Sequence, residues 1–385
     1  MRIAVVAASW ETGSTEHTEH IANLSAAVSR LGHEVTLYLR RDSPEPPEHT
    51  RHGYDLVRVP AGPCTRLSNA ELLPHLDEFA TYLDGEWARN APDVVHLHSW
   101  TSGLAVRDPQ APLVQSFHGL KIVEHHFRGM VVRTRTDPER LVALGADRVV
   151  AAGSDELFGL ARIGVPRPKL TLVPWGVDTD RFSPDGPVRP RGAAPRIVAL
   201  GDVVPRNGFR TAISALAAVP DAELVIVGGI SSPVPREDPE VLRLVEHARK
   251  HGVAHRVRFT GRVGSERLPA LLRSADVAVC AAGQEPSSLR AMACGVPVIA
   301  SATGALTDIV IDGVTGVLVT PRDPMALGRA LRGLLADPVR RQACALAGID
   351  RARARYGWDR VAADLVSVYR RTIRGHRGGG AAAAR

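Results

Sequence analysis

Leu289-Arg290-Ala291-Met292-Ala293-Cys294-Gly295-Val296-Pro297-Val298-Ile299-Ala300-Ser301 passes from a helical pattern, through a glycine, into an apolar β-rich run. The glycine marks the helix end. Val296–Ala300 shows no polar alternation, so it predicts a strand buried on both faces, the habit of a parallel sheet. The same unit recurs outward from this point. Strands are predicted at Arg196–Leu200, Glu223–Val227, Val257–Thr260, Asp276–Cys280 and Val317–Val319, with helical patterns between them. Upstream, Pro184-Asp185-Gly186-Pro187-Val188-Arg189-Pro190-Arg191-Gly192 has no period and reads as a linker.

Before the linker the alternation is repeated. Strands are predicted at Met1–Ala8, Glu34–Leu39, Asp93–Leu97, Leu113–Phe117, Val149–Ala152 and Leu170–Val173, and helices at His17–Leu31, Glu71–Asn90 and Ser154–Ile163. The expected class is α/β, with two doubly wound, Rossmann-like domains facing across a cleft. The expected boundaries are 1–183 for the first domain, 184–195 for the linker and 196–355 for the second domain. An amphipathic helix should follow over 356–373, then a disordered low-complexity tail over 374–385.

Length and composition agree. A chain of 385 residues suits two domains. With 44% hydrophobic and 23% charged residues it is not broadly disordered. No apolar run is long enough for a membrane-spanning helix, and the N-terminus starts as a strand instead of a secretory signal. Cys64, Cys280, Cys294 and Cys344 form no C-x-x-C pair, which argues against a zinc site or disulfide framework and for free thiols in the cytoplasm. The net charge of +7 comes almost wholly from arginine. It suits an anionic small substrate or lipid surface better than nucleic acid.

Chemistry is expected where strands end. Trp10-Glu11-Thr12-Gly13-Ser14-Thr15-Glu16-His17 is a small-residue loop opening a helix, a place for a phosphate or sugar oxygen or a plain βα turn. Val94-Val95-His96-Leu97-His98-Ser99 and Gln115-Ser116-Phe117-His118-Gly119 put imidazoles just past strand ends. There His118 and His98 can hydrogen-bond a sugar hydroxyl or shift a proton, or simply cap backbone. In the second half, Leu200-Gly201-Asp202, Pro205-Arg206-Asn207-Gly208, Gly228-Gly229, Gly261-Arg262-Val263 and Glu285-Pro286-Ser287-Ser288-Leu289-Arg290 occupy equivalent positions.

With these blocks in order, the sequence resembles the retaining glycosyltransferases of family 4 (the "glycosyl transferases group 1"), which have the GT-B fold. The match is specific at A-M-A-C-G-V-P-V-I-A-S and at G-V-D-x-D-x-F over Gly176–Phe182. The resemblance implies that the second domain holds a nucleotide-diphosphate sugar, a UDP-sugar first among candidates. The first domain would hold a small-molecule or lipid-linked acceptor, and the last helix would cross back to it. Transfer would proceed with retention, without a metal, the diphosphate being neutralised by cations and helix N-termini. It assigns catalytic positions to His118 and Glu285, and donor-binding positions to Gly13, Ser14, Gly201, Arg206, Gly261, Arg262, Val263, Ser287, Ser288, Leu289 and Arg290. Asp178-Thr179-Asp180 is read as a structural turn.

Four positions depart from the family pattern; in the N-terminal loop the usual glycine pair is Gly13-Ser14. Asp202 and Asn207 stand where an arginine and a lysine hold the diphosphate. Arg290 stands where a glutamate holds ribose, after a segment three residues shorter. Two charge-assisted bonds lost without replacement would cost ~3–6 kcal/mol. Either Arg206 and Arg290 supply the charge from new positions, or the donor differs. A third account is an impaired paralogue acting as a binding protein or as partner of another glycosyltransferase. An epimerase or phosphorylase is a more distant reading. The basic loop Lys121–Thr136 suits a phosphorylated acceptor, a peripheral membrane contact or plain solvation.

Overall fold

The computed structural model describes residues 1–8, 15–43, 53–107, 110–120, 136–229, 238–281 and 285–383. It divides into two compact units, Met1–Pro174 with Trp358–Arg385, and Trp175–Gly357.

In the first unit seven parallel strands form one sheet: β1 (Arg2–Ala7), β2 (Glu34–Arg40), β3 (Asp55–Val59), β4 (Val94–His98), β5 (Leu113–Ser116), β6 (Arg148–Ala151) and β7 (Leu170–Leu172). Their order is β3-β2-β1-β4-β5-β6-β7. The chain winds one way from β1 and the other way from β4, so the sheet's switch point lies between them, where ligands gather at the strands' carboxyl ends. Every residue of β4 is buried, as helices on both faces require. One face is covered by the helix Thr15–Arg30 and the last helix, Trp358–Ala383. Val361, Ala362, Leu365, Val366, Val368 and Tyr369 pack with Ile21, Leu24, Ala27 and Val28 in one core. That spacing is one stripe of a helix.

The second unit repeats the plan with β8 (Arg196–Leu200), β9 (Glu223–Val227), β10 (Val257–Gly261), β11 (Val277–Cys280), β12 (Val298–Ser301) and β13 (Gly316–Val319). The order is β10-β9-β8-β11-β12-β13, all parallel. Its switch point lies between β8 and β11. Gly228 follows β9 at φ +142°, and a Cβ there would sit 1.9 Å from the carbonyl oxygen of Gly201. Only glycine allows these two strand ends to approach so closely.

Four features differ from the sequence reading. The predicted helix Glu71–Asn90 is split into Asn69–Leu72, a 3-10 turn Leu73–His75 and Leu76–Arg89, because Pro74 cannot donate within a continuous helix. β3 was not predicted. It is an edge strand with mixed polarity and partial burial. The unit boundary falls after Pro174 and not at the proline-rich segment. Trp175, Val177 and Phe182 are buried, and the Val177 N–H donates to the Tyr356 carbonyl at 2.7 Å, so the chain joins the second unit before it reaches those prolines. Finally, the last helix continues to Ala383, through the segment expected to lack regular structure. Its closing alanines have the strongest helix preference of any residue.

Candidate functional site

In the first unit the site is built at the carboxyl ends of β4 and β5. His96 and His98 alternate on β4, so both imidazoles share one face, with ring centroids 4.2 Å apart. His96 Nε2 lies 2.9 Å from Ser116 Oγ, and its Nδ1 lies 2.7 Å from the hydroxyl of Tyr369. His98 Nδ1 lies 2.6 Å from His118 Nε2. Helix Thr15–Arg30 adds His17 and His20, at 5.4 and 5.3 Å from the His118 ring, and Trp358 approaches His20 at 5.4 Å.

Burial disfavours a charge on any of these rings, and each would repel its neighbours' charge. The pKa values of His20 and His96 are lowered to about 3, chiefly by burial. Those of His98 and His118 lie well below the ordinary value, by burial and then by neighbouring histidines. His20, His96, His98 and His118 are therefore neutral at pH 7. They offer hydrogen bonds, not charge, to what they meet. Among the described residues no three His, Cys, Asp or Glu side chains are grouped to hold a metal ion.

The sequence pointed to His118 and His98, and the structure brings them together. It did not point to the partners His17, His20 and Tyr369. His96 carried a signal, since H-x-H on a strand places both rings on one side. Gly13 and Ser14 lie outside the described residues, as does 121–135 of the basic loop.

In the second unit, Gly201, Asp202 and Arg206 follow β8, Gly261 ends β10, and Arg262 and Val263 come next. Burial pushes the Asp202 carboxyl up, against the pull of Arg206 and Arg262. Both arginines are exposed and near enough to act on it. Asn207 donates through Nδ2 to the Asp202 carbonyl at 2.7 Å, which ties the turn shut.

Beyond β11 the helix Glu285–Ala293 begins. The Glu285 side chain lies outside the described residues. Ser287, Ser288 and Leu289 are fully buried in its first turns. The Ser287 hydroxyl has no hydrogen-bond partner among the described residues. Backbone N–H groups at this end lack intrahelical acceptors. Hydroxyl and helix end together suit an anionic oxygen. The Arg290 guanidinium lies over the Phe182 ring, 5.5 Å from the centroid. Asp178 accepts from the N–H groups of Asp180 and Arg181 at 3.2 and 3.0 Å, as a structural turn does.

Comparison with known proteins shows the family of the chain. Residues 18–181 match the family model "Glycosyltransferase Family 4", and residues 187–351 match "Glycosyl transferases group 1". The chain is 35% identical to a D-inositol 3-phosphate glycosyltransferase of Xylanimonas cellulosilytica, over 91% of this chain and 90% of the relative. It is 29% identical to a glycogen synthase of Mycobacterium tuberculosis, over 93% and 91%. Among solved structures, sucrose-phosphate synthase from Thermosynechococcus elongatus superposes with a TM-score of 0.85 at 26% identity, covering 97% of this chain and 99% of that one.

Proposed function

Since the chain belongs to the group 1, family 4 glycosyltransferases of GT-B fold, we propose that it moves a sugar, with retention, from a nucleotide-diphosphate sugar to a small phosphorylated acceptor. The observation that carries the donor half is the buried Ser287 hydroxyl at the start of helix Glu285–Ala293, which has no hydrogen-bond partner among the described residues. A buried hydroxyl without a partner is costly, and a phosphate oxygen would satisfy it. Arg206 and Arg262 add positive charge from the ends of β8 and β10 at the same edge of the sheet. Between them, Asp202 is eased toward its neutral form by burial. Protonated, it can donate to a phosphate oxygen; ionised, it would repel one.

The acceptor half rests on the histidine cluster and on the named substrate of the relatives, an inositol phosphate. Neutral imidazoles at a strand end bind hydroxyls of a polyol without charge. The donated sugar's anomeric carbon loses its bond to the diphosphate and gains one to the acceptor oxygen. The departing diphosphate takes the acceptor proton, so no separate side-chain base is required. Among the described residues no helix is long and apolar enough to cross a membrane.

The test is a panel of UDP-, GDP- and ADP-sugars offered with D-inositol 3-phosphate, with products resolved by mass spectrometry and the new linkage by NMR. Transfer with the donor's anomeric configuration kept is the expected result. Transfer with inversion, or none across the panel, would overturn the reading.

A further inference from the structure

The bond between His98 and His118 fixes which nitrogen of His118 holds its proton. The rings are inclined by only 8°, with centroids 4.9 Å apart. That separation is a 2.6 Å N···N contact plus the radius of each ring. The two imidazoles therefore lie edge to edge, nearly coplanar, with the proton shared along the line between Nδ1 of His98 and Nε2 of His118. Both are neutral, so each carries one proton. His98 is 1% exposed, and its Nε2 is without a partner among the described residues. An orphaned buried N–H is rarer in folded proteins than an under-used acceptor. The His98 proton accordingly sits on Nδ1 and is given to His118 Nε2, which leaves the His118 proton on Nδ1.

The backbone holds this pair in place at a cost. Ser99, directly after His98, lies at φ +74°, ψ 159°, a region otherwise open to glycine, and His118 itself is at φ +56°. The two strained strand ends are tied together. The Ser99 N–H donates to the Ser116 carbonyl at 2.8 Å. Gln115 Nε2 donates to the carbonyls of Ser99 and Ser116 at 2.9 and 2.7 Å. Strain of this kind persists where the surroundings over-determine it, and it clusters at working sites.

We propose that His98 is a positioning residue that locks His118 in its Nδ1–H form, so that His118 meets a substrate hydroxyl as a hydrogen-bond donor and not as a general base. The inference rests on the proposed transfer for its consequence, but not for its first readout. Two-bond proton–nitrogen spectra of the full chain with nitrogen-15 histidine report the tautomer directly, with His118 assigned by its loss in His118→Gln. The expected wild-type signal is Nδ1–H with a hydrogen-bonded Nε2. His98→Phe keeps a ring but removes the donor. It should lose that preference and lower kcat about tenfold, with donor KM within about threefold. His98→Asn puts an amide N–H where Nδ1 stood and should restore both. An Nε2–H tautomer in the wild type would overturn the proposal, as would a His98→Phe protein with unchanged tautomer and kcat. Should His98→Phe fail to fold, His98→Gln, whose amide reaches the Nε2 position instead, serves as the donor-less variant. A chain that transfers no sugar at all would sink the proposed function, while the tautomer still decides this inference.

Discussion

The hydroxyl of Tyr369 lies 2.7 Å from Nδ1 of His96, a residue 273 positions earlier in the chain. The bond joins the last helix to the middle of the first unit's sheet, in a core where both side chains are 1% exposed. Tyr369→Phe keeps the ring and leaves the imidazole nitrogen unsatisfied. The expected loss is ~1–3 kcal/mol of folding stability, read as a lower urea midpoint. An unchanged midpoint would show that the bond contributes nothing.

Buried neutral imidazoles make the protein acid-sensitive in a defined direction. In the unfolded chain histidine protonates near its ordinary value of 6.5, whereas His20 and His96 in the fold hold off until about pH 3. Below 6.5 the unfolded state binds more protons, so stability falls as pH falls. The slope is ~1.4 kcal/mol per pH unit for each such histidine. Urea midpoints measured from about pH 7.5 down to about pH 5.5 should decline steadily. A flat profile would contradict the neutral cluster.

Ser287 separates a binding role from a folding one. Its hydroxyl has no partner to lose among the described residues, so Ser287→Ala should leave the urea midpoint unchanged or raise it. If the hydroxyl meets a phosphate oxygen, donor affinity should nonetheless fall roughly tenfold, the cost of one charge-assisted hydrogen bond. A stability loss with unaltered donor affinity would reverse the assignment.

Asp202 should give donor binding a pH dependence. Its carboxyl is pushed up by burial, and a diphosphate beside it would push it further. Donor affinity should therefore weaken as pH rises through the Asp202 titration. Asp202→Asn should flatten that dependence and improve affinity at pH 8 by about threefold to tenfold, the effect of removing one partly screened repulsion of ~1 kcal/mol. Titrations of both proteins across the range check this. A tighter-binding wild type at high pH would mean that the carboxylate contacts a sugar or ribose hydroxyl instead.

The sheets were readable wherever burial is two-sided. β8 and β9 were predicted to the residue because a parallel strand covered by helices is a continuous apolar run. β3 was not, since an edge strand keeps Asp55 and Arg58 among its five residues and carries no such run. The proline-rich segment drew the domain boundary too late, because a linker signal says where the chain is irregular, not where a core closes over Phe182. Within the site, His118 and His98 were legible from their place past strand ends. Their company was not, as His20 reaches His118, and Tyr369 reaches the adjacent His96, only through tertiary packing. Arg290 shows the same limit. Its guanidinium lies over Phe182, a contact made across more than a hundred residues of chain that the motif did not announce.

The central claim is that the carboxyl edge of the second sheet takes up a nucleotide diphosphate with Ser287, Arg206 and Arg262. Calorimetric titration of the wild-type chain with UDP, GDP and ADP, repeated on Arg206→Ala/Arg262→Ala, tests it most directly. The account predicts saturable binding of at least one nucleotide by the wild type and a drop of roughly a hundredfold or more in the double variant. No binding by the wild type at millimolar nucleotide, or equal binding by both proteins, would contradict it.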